Sequence, residues 1–290
     1  MPSKAMDGVA RGPLMAIGGA EDKVGPRRVL RHFMRLAGDA EARIVVLPVA
    51  SSFTAEVGER YRTLFTDLGA ARVDVIDVAT REEALNPTLA APLADATGVF
   101  LSGGNQVKIT TLLGGTPLAT AIRHCHAHGA VVGGTSAGAS VLSQHMIAFG
   151  RSGGAPEQRM VSLAPGLGLT NRLVIDQHFR QRDRLGRLMS AVATNPFLIG
   201  AGVDEDTALV LNSHNILEVV GEHSVTIVDG AEMTYTDIHH VKQYGSVSAH
   251  NMRVSVLTNG QHYDVRARRA ITPHHVSGFL GRSLEMAEDG

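Results

Sequence analysis

A chain of 290 residues with a formal net charge of -1 and a single cysteine, Cys125, has no disulfide framework within it and no overall charge to draw it to nucleic acid. Hydrophobic residues at 44% and charged ones at 19% exclude the composition of a disordered chain, and no apolar run of about 18 residues is present to span a bilayer. The expectation is one soluble core in a reducing cytoplasm, without a nucleic-acid or membrane partner, since the first residues also lack the apolar stretch of a secretory signal.

In chain order, short β-branched runs alternate with helix-patterned segments, the rhythm of βαβ units on a parallel sheet. Strands are expected at 15–18, 43–49, 72–78, 98–102 and 130–133, several of them apolar throughout, as strands covered on both faces are. Helices are expected at 27–36, 54–68 and 117–128, the last two ending at Gly69 and Gly129, where a capping glycine belongs. The fold class is therefore α/β with a doubly wound, mostly parallel sheet. Residues 149–169, rich in Gly, Ser and Pro, read as a long loop. After residue 206 the texture turns to strands, at 207–211, 216–220, 225–228, 253–257 and 262–265, the last two flanking Asn259-Gly260. A single hydrolytic domain over 13–270, including this β-rich C-terminal segment, leaves 1–12 and 271–290 as tails.

In an open parallel sheet, functional groups gather where strands exit at their carboxyl ends. The segment Val131-Val132-Gly133-Gly134-Thr135-Ser136-Ala137-Gly138 fits Gly-x-Ser-x-Gly, a strand-to-helix turn too tight for side chains two residues either side of an exposed serine. Ser136 is the candidate nucleophile. The Ala137 amide at the start of the following helix is one oxyanion donor, and Gly103 or Gly104, in Ser102-Gly103-Gly104-Asn105-Gln106, is the second. Gly18-Gly19-Ala20-Glu21 is a weaker strand exit of the same kind, and no Gly-x-Gly-x-x-Gly opens the first crossover.

A serine hydroxyl needs a base, usually a histidine oriented by a carboxylate. Of fourteen histidines, His32, His214, His223 and the pairs at 239–240 and 274–275 lie on helix faces or in the β tail, whereas His178 ends an apolar strand in Asp176-Gln177-His178-Phe179. The acid is expected from Gly202-Val203-Asp204-Glu205-Asp206, where periodicity does not separate Glu205 from Asp204. An α/β-hydrolase is disfavoured, because its order requires an acid between serine and histidine, and only Glu157 and Asp176 lie there. Arg180, Arg184 and Arg187 fall at i, i+4, i+7 and are expected to share a helix face suited to carboxylates, with Asp176 as an opposite charge for a cationic group. His124 and His128 share a helix face without a third ligand, so neither metal nor cofactor is expected.

Taken together, Ala16-Ile17-Gly18-Gly19-Ala20-Glu21, Gly103-Gly104-Asn105-Gln106, Gly133 to Gly138, Asp176 to Phe179 with Arg182, Arg184, Gly186 and Arg187, and Gly202 to Ala208 resemble the S51 peptidases, in particular the members that degrade cyanophycin. The resemblance implies a class I glutamine-amidotransferase-like fold and a Ser136, His178, Glu205 triad. It also implies a substrate pocket of Gln106, Asp176, Gln177, Arg182, Arg184 and Arg187, and a homodimer. The implied substrate is cyanophycin, a poly-aspartate carrying arginine on its side-chain carboxyls, released as β-Asp-Arg dipeptides. Asn105 departs from the acid expected before the glutamine. Another S51 peptidase cutting acidic peptides, and a non-catalytic binding protein on the same fold, are the alternatives.

Overall fold

Aliphatic runs with no polar face have to be covered on both sides, and the computed structural model, which describes residues 8–271, builds its centre from them. The first half of the chain runs β1 (Leu14–Ile17), α1 (Arg28–Ala37), β2 (Arg43–Leu47), α2 (Thr54–Asp67), β3 (Arg72–Val75), α3 (Arg81–Leu85), β4 (Gly98–Leu101), α4 (Gln106–Leu113), α5 (Pro117–Ala127), β5 (Val131–Thr135) and α6 (Ala137–Ser140). It continues with β6 (His145–Gly150), β7 (Val161–Pro165), β8 (Leu173–Gln177), α7 (Leu185–Thr194), β9 (Ile199–Val203), β10 (Thr207–Leu211), β11 (Ile216–Gly221) and β12 (Ser224–Asp229). The last strands are β13 (Tyr235–Thr236), β14 (Ala249–His250), β15 (Arg253–Thr258), β16 (His262–Asp264) and β17 (Arg269–Ile271). The capping devices are local. Thr116 accepts from the Ala119 amide at the start of α5, Thr80 and Glu83 form a capping box on α3, and Gly38 (φ 103°) closes α1.

The main sheet has nine strands in the order β17-β16-β11-β10-β1-β5-β4-β2-β3. The half from β1 to β3 is parallel, and the half from β10 to β17 adds antiparallel neighbours. One face packs on α1 and α2 through Phe33, Tyr61, Phe65 and Phe100; the other carries α4 and α5 and the inner face of a second sheet, ordered β15-β12-β9-β8. Helix α7 covers the outer face of that second sheet through Leu188 and Val192 against Val174 and Val228. Helices therefore lie on both faces of the parallel half, as a doubly wound sheet requires.

The β-rich C-terminal segment expected after residue 206 is present and is built into both sheets: β10, β11, β16 and β17 extend the main sheet and β12 and β15 complete the second one. Two expectations change. Asn259-Gly260 consequently joins two sheets instead of closing a hairpin: β15 pairs with β12 and β16 with β11. The stretch 149–169 is only partly a loop, because β6 and β7 form an antiparallel ribbon with a register shift between Ile147 and Phe149. At the amino-terminal side, buried Gly12 already donates to the His126 carbonyl, so ordered packing begins just before residue 13. His274 and His275 lie outside the described residues.

Candidate active site

Register brings three strand exits of the main sheet together, and two of the second. Ile17 stands opposite Thr135 and Leu101 opposite Gly134, so the residues after β1 and β4 flank those after β5. Gln177 stands opposite Val203 on parallel β8 and β9, so His178 and the acids at 204–206 leave the second sheet side by side. The His178 amide then donates to the Gly18 carbonyl at 2.7 Å, which fastens the second sheet to the first at the point where the candidate residues meet, while the Gly18 amide donates to the Thr207 carbonyl of neighbouring β10 at 2.9 Å.

Ser136 has φ 52° and ψ -112°, a strained conformation for a residue with a side chain, and its amide is held by the Ile17 carbonyl at 2.9 Å. The glycines around it are dictated by backbone contacts. A Cβ on Gly134 would lie 2.2 Å from the Gly138 carbonyl oxygen, and one on Gly138 would lie 2.2 Å from that of Leu101. The following helix α6 has only four residues, so its macrodipole is small and any oxyanion stabilisation rests on individual amides rather than on a long helix. Gly103 lies against Ser136, its missing Cβ facing Ser136 Cβ at 3.3 Å, whereas Gly104 packs on the Ala50 carbonyl. Ser102 and Asn105 direct their amides to Leu47 and Ala50, and Gly103 and Gly104 between them have no backbone acceptor among the described residues.

His178 Nε2 is 2.9 Å from Ser136 Oγ, and His178 Nδ1 is 2.6 Å from Glu205 Oε1. A carboxylate only accepts, so the Nδ1 proton is assigned to the Glu205 bond, which leaves Nε2 free to accept from the serine hydroxyl. Burial holds the imidazole below its ordinary value of 6.5; the Glu205 hydrogen bond opposes this and the charge of Arg182 reinforces it. The ring is therefore neutral near pH 7 and able to take a proton from Ser136. Asp204 is distinguished from Glu205 by its bonds: 1% exposed, it accepts from the Arg180 amide, the Ser224 amide and the Ser224 hydroxyl, a structural clamp between β9 and β12. Asp206 accepts from the Asp22 amide, and burial raises its carboxyl above the usual range.

The arginines do not share a helix face. Arg180 and Arg182 sit in a short 3-10 turn (Arg180–Arg182), a left-handed Asp183 (φ 47°) breaks the path, and α7 starts only at Leu185. Arg187 forks onto Asp176 at 2.6 and 2.5 Å, and Arg184 adds a contact at 3.3 Å, so the carboxylate expected to face a substrate cation is fully buried and already paired within the chain. Arg184 also reaches the Gln177 carbonyl and its side-chain oxygen. Gln106 donates to the carbonyls of Ile147 and Ala148 and Arg187 to that of Gly150, so both lie along β6. Asn105 caps α4 by accepting from the Val107 and Lys108 amides, work that an acid at this position would do equally well. Arg182 remains exposed, beside His178 and with no side-chain partner among the described residues.

Phe179 and the paired glycines of 18–19 are positioning elements. A Cβ on Gly202 would strike the Phe179 ring at 2.4 Å, and one on Gly19 (φ 97°) would strike the His178 ring at 2.3 Å. The turn at 18–21 thus packs directly against the His178 ring. Sequence carries no signal for Thr135, whose buried hydroxyl contacts Glu21 next to Ser136. Among the described residues no group of three His, Cys, Asp or Glu side chains could hold a metal ion, and the His128 ring instead approaches the His124 carbonyl at 2.7 Å.

The family model of peptidase family S51 matches residues 14–219, a span that contains every residue of this site. The chain belongs to that family. Curated S51-like relatives, each called cyanophycinase, include that of Trichormus variabilis, 41% identical over 263 residues covering 90% of this chain and 88% of the relative. That of Synechococcus elongatus is 42% identical over 260 residues, covering 89% and 81%, and that of Geminocystis herdmanii 39% over 255 residues, covering 88% and 94%. Among solved structures, a peptidase from an acI-B1 Actinobacterium superposes with a TM-score of 0.66 over 89% of this chain and 98% of its own, at 24% identity, and supports the fold. Membership of S51 makes the chain a peptidase, and a serine-type one in keeping with the family.

Proposed function

We propose that this S51 peptidase is a cyanophycinase, hydrolysing cyanophycin to β-Asp-Arg dipeptides through an acyl-enzyme on Ser136. The observation that carries the mechanism is the hydrogen-bonded line from Ser136 through His178 to Glu205, and the substrate comes from relatives of that name at about 40% identity over most of the chain. His178 takes the Ser136 proton as Oγ attacks the scissile carbonyl, and Glu205 stabilises the imidazolium that results. The amides of Ala137 and Gly103, with Gly104 as the further candidate, hold the oxyanion, a contribution of roughly 3 kcal/mol per donor in acyl transfer. His178 then protonates the leaving amine, and water, deprotonated by the same imidazole, releases the product.

In this reading Arg182 is the guanidinium that meets a substrate carboxylate directly. Asp176, Gln177, Arg184, Arg187 and Gln106 shape and charge the pocket from behind, because two buried arginines on one carboxylate leave a net positive charge. Burial lowers Arg184 to about 10 while Asp176 opposes that shift, so it stays cationic at neutral pH. A homodimer in the cytoplasm, with residues 13–270 as one domain, belongs to the same reading; light scattering on the purified protein checks the first of these.

Incubating the protein with cyanophycin and weighing the products by mass spectrometry tests the assignment: β-Asp-Arg is expected, and an untouched polymer alongside cleavage of other acidic peptides would move the chain to a different S51 substrate. Labelling of Ser136 by a fluorophosphonate separates either enzyme from a binding protein, which would not react.

A further inference from the structure

Behind the elbow lies a buried polar knot that the triad does not use. Glu21, 3% exposed, accepts from the Thr135 hydroxyl at 2.5 Å and the Tyr61 hydroxyl at 2.5 Å, and pairs with Lys23 at 2.9 Å. Thr135 and Tyr61 are themselves 3% and 4% exposed. Burial, and then the charge of Glu21, push the Tyr61 phenol far above its ordinary range, so it is a permanent donor. A carboxylate in this setting, met by three donors from three segments, is a fixed point of the fold.

Its neighbours in sequence are what give it reach. The turn that carries Glu21 also carries Gly19, on which the His178 ring rests, the Gly18 carbonyl that accepts from the His178 amide at 2.7 Å, and the Gly19 carbonyl that accepts from the Asp206 amide at 2.9 Å. Thr135 immediately precedes Ser136, whose positive φ of 52° persists only if both sides of it are held. The Ile17 carbonyl holds the Ser136 amide on its amino-terminal side, where Glu21 also anchors Thr135, and the Ala139 and Ser140 amides hold the Ser136 carbonyl on the other.

The geometry points to Glu21 as a positioning residue that, through Thr135 and the 18–21 turn, sets the register between the Ser136 hydroxyl and the His178 ring. This rests on the reading of Ser136 and His178 as nucleophile and base, and it concerns their alignment, not substrate binding. A nucleophile displaced by a fraction of an ångström from its base loses rate steeply, while the pocket that binds substrate is untouched.

The test compares Glu21→Gln, Thr135→Val, Thr135→Ser and the Glu21→Gln, Thr135→Val double variant with wild type, reading the rate of fluorophosphonate labelling, kcat and KM on cyanophycin, and the melting temperature. Glu21→Gln and Thr135→Val are each expected to slow labelling and kcat about tenfold or more with KM unchanged. Thr135→Ser, which restores the hydroxyl, recovers the rate, and the double variant is no slower than the worse single one, because both break the same link. Thr135→Val, nearly isosteric, keeps the comparison decisive even if Glu21→Gln melts below the assay temperature. Wild-type labelling by folded variants, a loss confined to KM, or losses that multiply in the double variant would overturn the proposal. If wild type labels readily yet leaves cyanophycin intact, the substrate reading fails and the Glu21 comparison still stands on labelling rates alone.

Discussion

Asp204 and Glu205 are adjacent acids with opposite environments, and the difference predicts opposite phenotypes. Glu205→Gln replaces a carboxylate that only accepts by an amide that can also donate, so the Nδ1–H tautomer of His178 is no longer fixed, and kcat is expected to fall by about four orders of magnitude, as loss of the orienting carboxylate does in such triads, with little change in melting temperature. Asp204→Asn leaves the labelling rate near wild type but weakens a buried acceptor of several donors, costing roughly 1–3 kcal/mol in urea unfolding. The pH profile follows from His178. Its lowered proton affinity places the acid limb of kcat/KM below 6.5: activity is lost as the pH falls through that point, because protonated Nε2 no longer accepts from Ser136. Arg182→Gln removes a positive neighbour, so the limb moves toward higher pH while KM rises; a limb that stays put would separate Arg182 from the base. Of the proposed site the sequence singles out Ser136 and His178, since each ends an apolar strand. It does not distinguish Asp204 from Glu205, because both follow the same strand and only their partners on β12 and at His178 differ.

At the scale of elements, the elbow owes its glycines to backbone crossings. Gly134→Ala would drive a methyl group into the Gly138 carbonyl at 2.2 Å, and is expected to destabilise the fold by about 1–3 kcal/mol and to abolish labelling of Ser136. That pattern was legible because a tight strand-to-helix turn has few sequence solutions. The arginine segment was not, because i, i+4, i+7 spacing holds whether or not a helix forms, and the left-handed Asp183 that interrupts it leaves no mark in the pattern. Pairing of the late strands was hidden for a related reason: alternation identifies β12, β15 and β16 as strands but says nothing of which sheet each joins.

For the whole molecule, two sheets share one core and meet at the candidate active site, so their docking should respond to any buried group whose charge changes with pH. His126, 2% exposed beneath the amino-terminal entry, is the strongest such group: burial, and then Arg11, lower it to about 4. The unfolded chain binds this proton near 6.5 and the folded one only near 4, so stability is full above 6.5 and falls as the pH drops through that window, by about 3 kcal/mol at most. Urea unfolding at pH 7.5 and 4.5 checks this, and His126→Gln should flatten the difference. Cys125 at the same end is raised to about 11 by burial, so thiol reagents should leave activity intact. The proposed acyl transfer through Ser136 on cyanophycin is read out most directly by polymer hydrolysis with wild type and with Ser136→Ala at matched concentration. Wild type is expected to release β-Asp-Arg and the variant to lose at least roughly three orders of magnitude in rate; turnover near the wild-type rate by Ser136→Ala would contradict an acyl-enzyme on Ser136.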